Sequence, residues 1–156
     1  MQRDNLNLST LIKTIVFSFH LLIITLAIQG GEEMKFSISK IDHVQIAAPK
    51  EKEERARNFY REILGMEEIE KPEPLKLRGG VWFEFGDFQL HVGVEEPFSP
   101  AKKAHPAFVV NGYEALQKHL REQDVEVKSD DSIPGVERFF VFDPFGNRLE
   151  FLKEGL

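Results

Sequence analysis

An internal repeat is the feature that most constrains the fold of this chain. Alternating apolar and polar residues, the pattern of β-strands, surround one stretch of helical periodicity at about residues 41–94, and the same order recurs at about residues 105–153. The motif QLHV of the first copy aligns with RLEF of the second. A repeat of this length is typical of a duplicated unit that cannot bury its own sheet. The two copies are therefore expected to form one domain with a common cavity.

The first copy is predicted to contain a strand, a helix and three further strands. The helix covers residues 51–64, where Ala56, Phe59 and Ile63 lie on one apolar stripe at helical spacing. Gly65 follows as the expected C-terminal stop. The strands are predicted at residues 41–47, 66–70, 81–85 and 88–94.

The second copy repeats this order. Asn111 is predicted to cap its helix, with Glu114 as the reciprocal partner. The strands are predicted at residues 105–110, 125–128, 137–142 and 148–153. The fold class is therefore α+β, with two βαβββ modules that form a curled mixed sheet around a cavity and carry their helices on the outer face.

Composition limits the kind of partner. The 156 residues carry a net charge of −6 and contain no basic cluster, so nucleic acid is not an expected partner and a small molecule is. The chain has no cysteine, which excludes disulfides, thiolate metal sites and a cysteine nucleophile. Any metal site must therefore use histidine, carboxylate or water.

Four potential metal ligands occupy equivalent positions in the two copies. His43 aligns with His105 on the first strands, and His91 aligns with Glu150 on the last strands. Two imidazoles and one carboxylate form a ligand set that leaves positions open for substrate and water. We therefore predict a catalytic divalent metal, with Fe, Zn, Ni, Mn and Co all compatible. For each residue alone, an ordinary strand histidine or surface acid is the alternative.

Strand alternation predicts further residues of the cavity. If His43 points inward, Gln45 shares its face and can orient a substrate. Trp82 and Glu84 would line the same cavity, and a desolvated Glu84 could act as a general base, although a solvated strand glutamate is the alternative. Arg138 could bind an anionic substrate group, but a slip of one residue in its strand would turn it outward.

The N-terminal residues 1–33 allow three interpretations. Residues 11–28 resemble a signal peptide, or form a short membrane anchor. Alternatively, this segment is upstream sequence translated in error and Met34 is the true start, because the codons of GGEE before Met34 can encode a ribosome-binding site. The domain itself is predicted over residues 34–156. Its expected location is the cytoplasm, or outside the cell or at a membrane if residues 11–28 are a genuine signal or anchor.

Five short motifs lie within residues 41–153. They are DHVQI at 42–46, ARNFY at 56–60, LGM at 64–66, HPAF at 105–108 and DPFGNRLEF at 143–151. These motifs resemble those of the vicinal oxygen chelate superfamily, which includes glyoxalase I, bleomycin-resistance proteins and extradiol dioxygenases. The resemblance covers about residues 41–153, and its most specific part is DPFGNRLEF.

The resemblance implies paired βαβββ modules around a metal that a substrate chelates through two neighbouring oxygens. His43, His105 and Glu150 match the recurring metal positions, whereas His91 stands where glyoxalase I has a glutamate, so His91 is either a fourth ligand or part of the cavity wall. The implied function is lyase or isomerase chemistry through an enolate. Alternatives are an extradiol-type dioxygenase and a metal-free drug-binding protein. A homodimer is also implied, with sites built from one chain or from two.

Overall fold

The structure is a computed structural model that describes residues 35–155, and its helices and strands belong to a compact unit that starts at Lys40. The predictions for residues 1–33 and for Met34 lie outside the described residues. Within 35–155, no helix has both the length and the apolar character needed to cross a bilayer.

The N-terminal module follows the predicted βαβββ order. The elements are β1 (His43–Ala48), α1 (Glu53–Arg57), a π-helical segment (Asn58–Ile63), β2 (Glu67–Ile69), α2 (Glu73–Lys76), β3 (Val81–Phe85) and β4 (Phe88–Val94). The four strands form one sheet in the order β1-β4-β3-β2, in which β1 is parallel to β4 and the other pairs are antiparallel. Helix α1 continues directly into the π-helical segment.

The C-terminal module has the same topology. Its elements are β5 (Ala107–Val110), α3 (Tyr113–Glu122), β6 (Lys128–Asp130), β7 (Arg138–Phe142) and β8 (Arg148–Lys153). The strands form a second sheet in the order β5-β8-β7-β6, again with the first strand parallel to the last and antiparallel pairing elsewhere. Two four-stranded mixed sheets of equal topology confirm the duplicated α+β fold.

Several local predictions differ from the structure, among them the strand predicted at 125–128, which lies at Lys128–Asp130. The helix predicted at 51–64 changes from α to π at Asn58, and the four-residue helix α2 was not predicted. The predicted cap at Asn111 is wrong, because the helix begins after Gly112, whose φ of 74° is left-handed and whose position has no side-chain cap. Glu114 instead accepts a hydrogen bond from Lys153 Nζ at 2.7 Å, so its carboxylate joins the helix to β8.

Each sheet buries aromatic and aliphatic side chains on one face. In the N-terminal module Tyr60 packs on Phe83, with ring centroids 5.5 Å apart. In the C-terminal module Phe139 stacks on Phe151 at 5.2 Å and contacts Tyr113 on α3. These side chains are almost fully buried, so helix-to-sheet packing accounts for much of the hydrophobic stabilisation.

A buried polar network joins the two modules. Tyr60 Oη donates a hydrogen bond to Asp143 Oδ2 at 2.6 Å, and burial, followed by the nearby Asp143, raises the pKa of this phenol so that it stays protonated. Asp143 Oδ1 accepts the backbone N–H groups of Phe145 and Asn147. Asn147 Nδ2 donates to Asp143 Oδ2 and to the carbonyl oxygen of Ala47, at 2.8 and 2.7 Å. The turn before β8 is thus tied to β1 and to the π-helical segment.

Replacing Gly80 with alanine should strongly destabilise the N-terminal module. Gly80 has a φ of +79°, and an added Cβ would lie 2.3 Å from the backbone oxygen of Val92. We expect the free energy of unfolding, measured by urea titration, to fall by more than about 3 kcal/mol. Gly86→Ala is the matched control, because Gly86 has a φ of +53° but no atom within 4 Å of the added Cβ. Its expected loss is about 1 kcal/mol, and equal losses would contradict the role of the close approach.

Candidate metal and substrate site

Three ring systems of the N-terminal module form an aromatic stack, consisting of Trp82, His91 and His43. Strand register places Gln45 and Trp82 beside His91 on the two sides of β4. The Trp82 and His91 ring centroids are 3.8 Å apart and nearly parallel, and those of His91 and His43 are 4.2 Å apart. His43 Nδ1 also contacts Asp42 Oδ2 at 2.9 Å. The two predicted ligands of this module are therefore neighbours on one sheet.

His91 is the more enclosed of these histidines, with 4% of its surface exposed. Its Nε2 lies 3.0 Å from Gln89 Oε1. Burial, and then the adjacent His43, lower the pKa of His91. The ring is thus favoured in its neutral form, which is the form that can either ligate a metal or stack in the cavity wall.

Protonation of His91 should make the metal-free protein sensitive to mild acid. Below about pH 6.5 the unfolded chain binds a proton at His91 that the folded chain resists, so the free energy of unfolding should fall as pH drops towards the lower folded-state pKa. Urea titrations in a chelating buffer between about pH 7.5 and 5.5 measure this slope. His91→Phe, which cannot titrate, should have a shallower slope, whereas equal slopes would exclude His91 as the source.

The C-terminal module brings together His105 and Glu150, termed here the histidine–carboxylate pair. Their Nε2 and Oε2 atoms are 2.9 Å apart. Glu150 lies on β8 opposite Ala107, and His105 lies two residues before β5, just outside the strand predicted to include it. Arg138 on β7 donates from Nη1 to Glu150 Oε1 at 2.8 Å, so both carboxylate oxygens have partners.

Opposing effects set the charge of Glu150, which is 7% exposed. Burial acts to raise its pKa, but the hydrogen bonds from His105 and Arg138 outweigh burial and hold the pKa below its usual range. Arg138 also contacts Asp130 Oδ1 at 3.0 Å and Ser132 Oγ at 2.9 Å. Arg138 therefore contacts two carboxylates, those of Glu150 and Asp130, and its role in binding an anionic substrate group stays a prediction.

Arg148 is a site residue that the sequence interpretation missed. Its Nη2 lies 2.7 Å from His105 Nδ1 and 2.8 Å from the carbonyl oxygen of Lys103. Strand alternation in the sequence could have identified it, because Arg148 precedes Glu150 by two residues on β8 and its side chain therefore lies on the same face of the sheet. The guanidinium groups of Arg148 and Arg138 lie 5.1 and 5.3 Å from the ring centroid of Phe140.

A cavity of about 420 Å³ lies beside His105. Gln45 and Arg148 contribute polar groups to its wall. Glu84 lies on β3 opposite Gln89, two residues from Trp82, so it follows the same face of the sheet as the aromatic stack. The remaining wall includes Val44, Ile46, Ala47, Glu95, Ser99, Pro106 and Asn147.

The four predicted metal ligands therefore form two pairs, one on each module. Across residues 35–155, no three histidine, aspartate or glutamate side chains converge as a complete metal-binding group. The histidine–carboxylate pair nevertheless has a spacing suited to two ligands of one metal site. Two ligands at about 2.0–2.2 Å from a metal lie about 3.0 Å apart at the right angle of an octahedral site and about 3.4 Å apart at the tetrahedral angle. The 2.9 Å between His105 Nε2 and Glu150 Oε2 is close to the octahedral value.

Comparison with known proteins agrees with this fold. A family model described as the Glyoxalase/Bleomycin resistance protein/Dioxygenase superfamily matches residues 40–151. The chain belongs to this superfamily. A search of curated proteins found no match.

Solved structures of the same family are similar over most of the chain. A glyoxalase family protein from Bacillus anthracis is 53% identical, with a TM-score of 0.76, and the match covers 78% of this chain and 100% of that one. A glyoxalase family protein from Enterococcus faecalis is 29% identical, with a TM-score of 0.61, and the match covers 74% of this chain and 98% of that one. Lactoylglutathione lyase from Agrobacterium tumefaciens is 18% identical, with a TM-score of 0.61 and coverage of 76% and 96%, and this likeness concerns the fold alone.

Proposed function

We propose that this chain is a divalent-metal-dependent enzyme acting on a small substrate that has two neighbouring oxygen atoms, with lyase or isomerase chemistry. The observation that carries the proposal is the convergence of His105 Nε2 and Glu150 Oε2 at 2.9 Å in the C-terminal module. Imidazole and carboxylate suit Fe, Zn, Ni, Mn and Co alike.

The remaining ligands come from the N-terminal module of a second copy of the chain. His43 is the principal candidate, because its side chain is 44% exposed and can reach a partner. His91 is enclosed in the aromatic stack and serves as the fourth ligand or as wall. A homodimer that exchanges modules in this way contains two identical sites, each built from both chains.

The bound metal would act as a Lewis acid and polarise a substrate carbonyl. Glu84 takes a proton from the carbon next to that carbonyl and returns it at the neighbouring position. Gln45 orients the substrate by hydrogen bonding, and Trp82 shields one side of it from water. Arg138 holds the Glu150 carboxylate in its ionised form, which is the form that a metal requires.

Complementation between two inactive variants tests the shared site. His43→Ala and His105→Ala dimers should each fail to bind metal. In a heterodimer of the two, one site contains both substitutions and the other contains neither, so random co-assembly should restore about one quarter of the sites. Bound metal, measured by mass spectrometry of the co-expressed proteins, gives this fraction. A site completed within one chain would give no recovery, and a monomer in light scattering would exclude the dimer.

A metal-free binding protein is the second candidate. It is favoured by the pairing of both Glu150 oxygens, with His105 and with Arg138, which leaves the carboxylate satisfied without a metal. Metal analysis after purification without an affinity tag separates the two functions. Stoichiometric Fe, Zn, Ni, Mn or Co would support the enzyme, whereas no metal and no uptake on titration would support the binding protein.

A further inference from the structure

Arg148 carries a positive charge without an acidic partner. Across residues 35–155, no aspartate or glutamate forms an ion pair with its guanidinium, whereas the nearby Arg138 is paired with Asp130 and Glu150. The Arg148 side chain is only partly exposed. A guanidinium stays charged in proteins, and removing a charge from water is costly unless a counterion accompanies it. The position of Arg148 therefore favours an anion from outside the chain.

The contacts of Arg148 leave part of its guanidinium available to such an anion. Nη2 lies 2.8 Å from the carbonyl oxygen of Lys103 and 2.7 Å from His105 Nδ1. The ring centroid of Phe140 lies 5.1 Å from the guanidinium carbon. Nη1 has no hydrogen-bond partner among the described residues, and neither has the buried Nε. Nη1 can thus donate to a ligand while Nη2 keeps the side chain in place.

The cavity beside Arg148 has room for a small organic molecule. Its volume of about 420 Å³ is in the usual range of ligand pockets. Gln45 and Ser99 also line it, and their amide and hydroxyl groups can donate further hydrogen bonds. Glu95 is the acidic residue of the wall, but it is exposed, so solvent weakens its repulsion of an anion. The apolar residues of the wall are Val44, Ile46, Ala101, Ala104 and Pro106.

We propose that Arg148 binds the oxyanion group, a carboxylate or a phosphate, of a small ligand whose apolar part occupies this cavity. Arginine donates charge-assisted hydrogen bonds to either group, and these are stronger than neutral ones. As a statement about the substrate of an enzyme, this inference rests on the proposed function. Anion binding itself does not, because a metal-free binding protein would use Arg148 in the same way.

Three probes that share a benzene ring test this inference: benzoate, phenyl phosphate and the uncharged benzamide. The protein is freed of metal with a chelating resin and titrated at about pH 8.5, where an ordinary imidazole is neutral. Backbone amide shifts in two-dimensional NMR spectra give both the affinity and the place of binding. We expect an anionic probe to bind about tenfold or more tightly than benzamide, with the largest shifts at residues of the cavity wall.

The two anionic probes distinguish the sources of the oxyanion group. Tighter binding of phenyl phosphate would identify a phosphate ester as the ligand class, and tighter binding of benzoate would identify a carboxylate. Equal binding of all three probes by the wild type would overturn the inference, as would shifts that lie away from the cavity.

Arg148→Met should weaken binding of the anionic probes by about tenfold or more and leave benzamide binding unchanged. Arg121→Met is the matched control, because it removes the same charge from the exposed surface of α3, where Arg121 Nη2 donates to Gln117 Oε1. Its anion affinity should equal that of the wild type. Unchanged anion affinity in Arg148→Met would overturn the inference. Should Arg148→Met fail to fold, the wild-type titrations still decide.

Metal analysis separates this inference from the proposed function. Anion binding at the cavity by a protein that takes up no metal would remove the proposed enzyme and keep the anion site. Metal uptake without binding of either anionic probe would overturn the anion site and keep the proposed enzyme. Absence of both would overturn both.

Discussion

His105→Ala should abolish metal uptake, with a loss of affinity of more than about 100-fold. The substitution removes a ligand itself, and even partners of metal ligands are worth about 10–100-fold. It also leaves Glu150 with Arg138 as its remaining partner, so the carboxylate becomes a neutralised ion pair rather than half of a ligand set. Equilibrium dialysis against Zn²⁺, Ni²⁺, Mn²⁺ and Fe²⁺ measures the effect.

His119→Gln is the control for this experiment. His119 lies on α3, where its Nε2 contacts the carbonyl oxygen of Ile63, and it belongs to neither ligand pair. Its variant should bind metal as the wild type does. Equal uptake by His105→Ala and the wild type would contradict the assignment of His105 as a ligand, whereas no uptake by either protein would leave the metal-free binding protein as the better function.

Asp143→Ala should destabilise the whole domain, with a loss of about 3–5 kcal/mol in the free energy of unfolding. The substitution removes the acceptor of several buried hydrogen-bond donors at once. They are the Tyr60 hydroxyl, the Asn147 side-chain amide and the backbone N–H groups of Phe145 and Asn147. Each loses a partner in a place where water does not easily replace it.

Urea titration of Asp143→Ala, compared with Asp131→Ala, tests this prediction. Asp131 is exposed, and surface substitutions of this kind usually change stability by less than about 0.5 kcal/mol. A loss below about 1 kcal/mol in Asp143→Ala would show that water enters the junction and satisfies the donors.

Much of the fold could be predicted from the sequence, because hydrophobic periodicity and the internal repeat extend over many residues. The strands 81–85, 88–94 and 148–153 were predicted with their observed bounds, since alternation over five or more residues is distinctive. The predicted ends of helices were wrong where they depend on the backbone conformation of one or two residues. The change from α to π at Asn58 leaves the apolar stripe intact, and the start of α3 at Tyr113 depends on the left-handed backbone of Gly112 rather than on a side-chain cap.

The candidate site was predictable by residue type but not by contact. Aligning the two copies identified His43, His91, His105 and Glu150, and the structure places them as two neighbouring pairs. Whether the pairs meet depends on how modules associate, and strand patterns within one chain carry no information about that. The pairing of Arg138 with Glu150 and Asp130 was equally hidden, because it depends on the register of β7 against β6 and β8.

His91 and Glu150 occupy equivalent positions in the two copies of the repeat, but their electrostatic environments differ. One is an uncharged ring between two other rings, and the other is an anion fixed by an arginine. Because each lies within its own hydrogen-bonded sheet, an exchange at one position need not disturb the strand pairing of the other half. Duplication of a small sheet thus yields two scaffolds that can be altered independently, and laboratory selection for new chemistry could vary one half while the other preserves the fold.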